Sequence, residues 1–491
     1  MNSPPFSPSE EGIWNEQIRR RELHRCAETL VGLAENVQLA EDFASEAPKI
    51  LAKLIAETAK MLADLVKEIV PAQDLGQINA LLVFITPHLR YVERARVSQT
   101  PWSIVPSAEQ LFKLGTNSKC HFVIRPSWAY NYSIIGEFVG AYQNCLSALS
   151  WFPIAEWKEK VDLKNCASIY CISFPRIERS NCLLHANWGH EFGHILVGKW
   201  VIDEFAKAWA SDEAAIKKQI EDHVKKNLPR NLPPVDSLFR EMVIQDIVAK
   251  EMRATMEVAQ QGLVELLCDR VSVHIFGPSA IAASLEFAAR FVLDVSPLQS
   301  SNYPPWRYRL RKMLQRCKSD LLENRDTGYP KPEINAFIEW LRIGQRLTEA
   351  KRDLEVIELH STTKEAYNFI DKHWEEVAEK VISMLPPELS KPYLLCEHEK
   401  AVVELIKRLQ RGIPPNEISH LSREPASFQE IMSSAWAYKM GQIANKPSWG
   451  GADDFGLLFR LVLKGCENSF VHSKWGKEIA KIDEHTVQEK P

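Results

Sequence analysis

The sequence predicts a mainly α-helical chain with a small β-sheet, an α+β arrangement, and three observations carry that reading. Apolar residues recur three and four positions apart along most of the 491 residues, the spacing of a helix with one buried face. Two short runs, CHFVIR at 120–125 and ASIYCISF at 167–174, instead have the β-branched and aromatic content of strands. Clusters of Pro and Gly punctuate the helical stretches at intervals.

The elements follow in chain order. The opening MNSPPFSPSEEG has neither the basic nor the apolar part of a signal peptide and reads as a short disordered tail. Residues 13–70 read as two helices, with Leu30, Leu33 and Val37 on one stripe and Leu51, Leu54, Ile55, Leu62 and Leu65 on the next. Pro48 marks the break between them. INALLVFITPHLRYVERAR (78–96) is a third helix, and no internal repeat or sustained heptad is present. After SQTPWSIVP come the two strands, separated by helix-like sequence around 133–150. The second strand ends at Pro175, so a strand leading to a helix that begins near Asn187 is expected. That helix continues through VIDEFAKAWASDEAAIKKQIEDHVKK until the breakers of NLPRNLPP stop it. Residues 236–275 read as one or two helices ended by Gly277 and Pro278. Linkers are expected at 324–332 and 385–392, with further breaks at RGIPPNE and NKPSWGG in a helical remainder. The expected division is a helical region over 1–100, a core over 101–325 and a second helical region over 326–491.

Composition narrows the function classes. A hydrophobic fraction of 45%, a charged fraction of 25% and a net charge of −4 fit a water-soluble protein and point to no nucleic acid and no membrane surface as partner. The basic spot Arg19, Arg20, Arg21 and Arg25 is interleaved with Glu16, Glu22 and Glu28, as on a solvated helix face. No apolar run approaches the roughly 20 residues of a membrane helix. Ten scattered cysteines suit a reducing, cytoplasmic setting, and Cys166, Cys171 and Cys182 read as buried thiols rather than metal ligands.

Chemistry concentrates in NWGHEFGHILVGKW, residues 187–200. Residues four apart on a helix share a face, so His190 and His194 can point at one metal ion. Glu191, turned about 100° from His190, stands where a general base for a metal-activated water belongs. Gly189 and Gly193 permit close approach of another segment, while Phe192, Ile195, Leu196 and Val197 give the helix an apolar face. A catalytic zinc wants a third protein ligand. GLVELLCDRVSVHIFGPSA supplies Glu265 and Asp269 one helical turn apart in an otherwise apolar stretch. Buried carboxylates are costly unless paired or metal-bound. Glu265 is therefore expected as the third ligand, with Asp269 accepting the Nδ1 proton of a ligand histidine. The alternative is that both pair with Arg270 and Arg253 on a solvated edge.

His190-Glu191-Phe192-Gly193-His194 followed by Glu265-Leu266-Leu267-Cys268-Asp269 resembles the gluzincin zinc metallopeptidases, whose pattern is H-E-x-x-H and then E-x-x-x-D on a later helix. The wide gap between the two motifs looks more like the CAAX prenyl protease group, over about residues 165–315, although those relatives carry membrane helices. That group also has a His-Pro turn and a basic residue after the ligand helix. Here Asn302-Tyr303-Pro304-Pro305 precedes Arg307 and Arg309, and the histidine of the turn is absent. The resemblance implies a zincin-like catalytic core flanked by helical regions, with Zn2+ as cofactor and peptide-bond hydrolysis as reaction.

On this reading Glu191 takes the proton of the zinc-activated water and later delivers it to the leaving amine. Tyr303, Arg309 and His274 are the candidates to steady the oxyanion, His274 being equally readable as a satisfied core histidine. His185 reads as a histidine at the helix entrance and Cys268 as a small buried residue. The expected partner is a polypeptide substrate, cleaved selectively because helical regions flank the core. The rivals are a helical regulatory or interaction protein with a structural or silent zinc site, and a zinc hydrolase of small amides.

Overall fold

A computed structural model describes residues 8–68, 70–116, 119–162, 166–227, 237–294, 303–317, 332–349, 361–418, 424–445 and 455–488. The chain divides into two compact units between Ser180 and Asn181. Most described residues are helical and the strands form one small sheet, as the apolar spacing predicts.

The first unit opens with helices α1 (Pro8–Gln38), α2 (Ala47–Glu68), α3 (Leu75–Arg94) and α4 (Val105–Gly115). Residues 8–12, expected in a disordered tail, already belong to α1, whereas 1–7 lie outside the described residues. The α1–α2 break falls at 39–46, so Pro48 sits in the first turn of α2, where its missing N–H costs nothing. Strand β1 (Cys120–Ser127), strand β2 (Ser133–Ile135), helices α5 (Phe138–Ser147) and α6 (Ile154–Lys160), and strand β3 (Ser168–Pro175) complete the unit. The sheet order is β1-β3-β2, with β1 and β3 parallel from Cys120↔Ser168 to Ser127↔Pro175 and β2 antiparallel to β3. Ser133–Ile135, expected as helix-like, form the edge strand; two of the three are β-branched isoleucines, and the helix starts only after Gly136 and Glu137. The Glu137 carboxylate caps α5 by accepting from the backbone N–H groups of Val139 and Gly140. One apolar core joins α1, α2, α3, α5 and α6 to Val123, Ile169 and Cys171 of the sheet. Within it His88 meets the Tyr142 hydroxyl at 2.9 Å, between the rings of Phe84 and Phe138.

The second unit begins with a 3₁₀ turn, Cys182–Asn187, that runs into α7 (Trp188–Asn227). Helix α8 (Ser237–Phe276) follows as one continuous helix rather than two. At 40 residues each, α7 and α8 are about 60 Å long. Gly277 stops α8 at φ 54°, a value that favours glycine, and Pro278 opens α9 (Pro278–Ala288). Then come α10 (Trp306–Arg316), α11 (Pro332–Glu349), α12 (Ser361–Ser383), α13 (Glu399–Gln410), α14 (Phe428–Asn445) and α15 (Gly456–Gln488). Helix α12 lies along α7 through Lys380–Glu204 and Lys372–Asp212 ion pairs and a Phe205, Trp209 and Phe369 cluster. Ser427 and Glu430 start α14 reciprocally: Ser427 Oγ accepts from Glu430 N–H, and the Glu430 carboxylate accepts from Ser427 N–H.

Residues 228–236, which hold most of NLPRNLPP, lie outside the described residues, as do 324–331 of the first expected linker and 446–451 of NKPSWGG. Pro332, the last residue of that linker, begins α11. The three-region division at 100 and 325 differs from the observed one: the strands belong to the first unit, and the H-E-x-x-H helix to the second. No helix among the described residues is long and apolar enough to cross a membrane.

Burial pushes the His88 pKa down from 6.5 to about 4. Between those values the unfolded chain binds a proton that the folded one refuses, so stability is complete above about 6.5 and falls as pH drops towards 4. His88→Gln keeps a partner for Tyr142 and removes the titration. In urea unfolding at pH 7 and pH 4.5, this variant is expected to lose less stability on acidification than the wild type. An equal loss in both would remove His88 from the pH response.

Candidate metal centre

The site is built by an unusually close contact of α7 with α8. A Cβ on Gly193 would stand 2.7 Å from the Cα of Cys268, and one on Gly189 would stand 2.8 Å from Ser272 Oγ and 2.9 Å from the Phe276 ring. Glycines four apart on α7 thus face Cys268 and Ser272, four apart on α8, and the helices run antiparallel there. Because no Cβ intervenes, the polar stripe next to the glycines on α7 comes within reach of the polar stripe on α8.

Those stripes are the expected residues. His190 Nε2 lies 3.2 Å from Glu265 Oε2, and His194 Nε2 lies 3.6 Å from Glu265 Oε1. The rings of His190 and His194 are 5.0 Å apart and nearly perpendicular. Among the described residues, His190, His194 and Glu265 bring their ligand atoms within 4.8 Å of one another. His190 Nδ1 donates to Asp269 Oδ1 at 2.8 Å, so Nε2, which faces Glu265, is the nitrogen that would lose its proton to ligate an ion. Two imidazole nitrogens, one carboxylate and a hydrogen-bonded ring are the donor set that zinc takes in its catalytic sites.

Arg309, from α10, closes the far side. Its Nε donates to Asp269 Oδ2 at 2.8 Å and its Nη2 to Asp269 Oδ1 at 2.8 Å, a two-pronged pair. Nη1 lies 3.5 Å from Glu265 Oε2, and the guanidinium sits 4.4 Å from the centre of the Trp306 ring. Arg270 instead pairs with Glu379 at 2.8 Å, and Arg253 Nε reaches the Ala249 carbonyl. The alternative pairing of Glu265 and Asp269 with Arg270 and Arg253 is therefore not the one adopted.

The electrostatics follow from burial and these partners. Burial and the Arg309 charge oppose the His190 cation, but the Asp269 and Glu265 carboxylates outweigh them and hold it up at about 10. Burial and the His190 charge push His194 down to about 4. Burial works against the charged forms of Asp269 and Glu265, yet Arg309 and His190 keep both carboxyls below their ordinary values, Asp269 strongly so. With both rings neutral, as ligation requires, Glu265, Asp269 and Arg309 leave a net negative charge for a cation to balance.

Glu191 is 5% exposed on the same turn of α7. Tyr303 is half-buried just before α10, and burial together with the Glu265 and Glu191 charges raises its hydroxyl pKa. His274 takes no part in the site: its Nε2 donates to the Leu389 carbonyl at 2.7 Å, a core role enforced by the helical phase that turns it from Glu265. His185 stacks on Trp188 at 4.6 Å in the turn that leads into α7. Cys268 is the buried small residue under Gly193, and burial drives its thiol pKa well up. Cys166, Cys171 and Cys182 are likewise buried thiols pushed up by burial. Trp306, the platform behind Arg309, carries no sequence signal beyond its place in the α10 pattern.

The helix contact predicts opposite effects of one substitution at two glycines. Gly193→Ala forces backbone apart and is expected to cost about 1–3 kcal/mol in chemical unfolding. Gly198→Ala, with nothing within 4 Å of its Cβ, is expected to be neutral or stabilising by up to about 1 kcal/mol. Equal effects at both positions would contradict the close contact.

Compared with known protein families, curated proteins and solved structures, the chain matches none of them.

Proposed function

We propose that this protein is a zinc-dependent metallopeptidase of the gluzincin type, acting in the cytoplasm on a polypeptide substrate. The observation that supports this best is the meeting of Glu265 and Asp269, from one helix, with both histidines of H-E-x-x-H on another. His190, His194 and Glu265 would hold the ion. When bound, it supplies Lewis acidity that acidifies water and polarises a carbonyl.

The chain's own residues divide the remaining work. Glu191, next to His190 but outside the ligand set, takes a proton from the attacking water and delivers it to the leaving amine. Its burial beside this cluster keeps bulk water from levelling that transfer. The Tyr303 hydroxyl remains protonated at neutral pH and is the donor offered to the developing oxyanion. Asp269 keeps the Nδ1 proton on His190, so that Nε2 is always the ligating atom. The ten scattered cysteines suit a reducing compartment, and the small net charge supports neither a nucleic-acid nor a membrane partner. Glu191 also weighs against a silent or purely structural site, since zinc retention alone does not need it.

The test compares the wild type with Glu191→Gln for bound zinc and for cleavage of denatured protein substrates. Zinc is expected at one ion per chain in both, with cleavage lowered at least about a hundredfold in the variant. A wild type that takes up no zinc would overturn the proposal, and equal cleavage by both would remove Glu191 from it.

A further inference from the structure

Arg309 is a cation 5% exposed, yet none of its nitrogens points to open space. Nε and Nη2 grip the two oxygens of Asp269, Nη2 also lies 3.2 Å from His190 Nδ1, Nη1 faces Glu265, and the guanidinium rests over the Trp306 ring. Asp269 Oδ1 thus accepts from two donors, Arg309 Nη2 and His190 Nδ1. A carboxylate on a helix can turn about its last torsion, and a turn would break the bond that orients His190. A bidentate fork prevents that turn because both oxygens are engaged at once.

We infer that Arg309 is a positioning residue: through Asp269 it locks the His190 ring with Nε2 towards Glu265 and His194, and it does not donate to substrate. Its purpose rests on the metal-site reading of the preceding subsection; its hold on Asp269 and His190 is a property of the metal-free chain. A basic residue at this place has two possible tasks, steadying the oxyanion or fixing the ligands. The fork geometry, the burial and the ring behind it assign the second. The role also ties α10 to α8 through the buried Arg309–Asp269 and Arg309–Glu265 ion pairs.

The experiment uses the full chain as wild type, Arg309→Lys and Arg309→Met, with far-UV circular dichroism and urea midpoints to check folding. In the metal-free proteins, nitrogen-labelled histidine NMR reads the Nδ1–H of His190 directly. The wild type is expected to show a low-field, exchange-protected Nδ1 proton assigned to His190, distinct from the Nε2 proton that His274 donates to Leu389, and it disappears in Asp269→Asn and in Arg309→Met. Arg309→Lys, which keeps the charge and remains the safer folder, is expected to leave that proton exchanging faster, because an ammonium cannot grip both oxygens.

Zinc affinity by chelator competition is expected to fall about 10- to 100-fold in both Arg309 variants. At saturating zinc, kcat for any peptide the wild type cleaves should return to within a few-fold of wild type. An oxyanion donor would instead lose kcat by about 10²–10³ at saturating zinc, and that result overturns the inference. So does an unchanged His190 signal, or full recovery of ring protection and zinc affinity by lysine. A wild type without zinc defeats the peptidase proposal, while the ring-proton comparison still decides whether Arg309 fixes His190.

Discussion

The contact of Gly193 with the backbone of Cys268 is the constraint on which the candidate metal centre depends. Two helices whose backbones come this close can pair side chains as short as Asp and His across their seam. At the 8–10 Å separation usual for helices, the same residues would face each other across a gap. Glycine at 189 and 193 and small residues at 268 and 272 therefore matter as much to this geometry as the polar residues they bring together. The helices are long, but the site uses one turn of each, and α12 braces α7 further along through Glu204 and Asp212.

That proximity carries an electrostatic debt. Glu265 and Asp269 are buried among Leu263, Leu266, Leu267 and Val271, where an unpartnered carboxylate would cost several kcal/mol. The protein answers with Arg309 on Asp269 and with His190 between the two acids. The pairing is asymmetric. Asp269 is fully engaged by the fork and the ring, whereas Glu265 keeps only longer contacts of 3.2–3.6 Å to His190, His194 and Arg309. The loosely held carboxylate is the one suited to a cation, and the tightly held one is suited to orienting a ligand. In this way packing, burial and hydrogen bonding give two chemically similar side chains different surroundings.

Much of this was legible in the sequence because it is local. Helical phase alone places His190 with His194 and Glu265 with Asp269, and the strands at 120–125 and 167–174 stand out by residue type. The meeting of the two helices was legible too, since buried acids demand partners and the glycines sit beside the histidines. What sequence left open was non-local. Whether Arg309 faces a substrate or Asp269 depends on how α10 packs, and nothing in WRYRLRKML encodes the ring of Trp306 as its platform. The assignment of the sheet to the first unit likewise depends on the pairing of β1 with β3 over a shared core with α2 and α3. His274 shows the opposite case: its phase on α8 already turned it from Glu265, and the Leu389 carbonyl gives the physical reason it stays there.

The most direct measurement of the central claim is zinc K-edge X-ray absorption of the full chain reconstituted with one equivalent of zinc. Ligation by His190, His194 and Glu265 predicts a shell of nitrogen and oxygen only, at about 2.0–2.2 Å, with the multiple-scattering pattern of two imidazoles. A sulfur shell at about 2.3 Å, drawn from the ten cysteines, or zinc that does not remain bound at that stoichiometry, would contradict it.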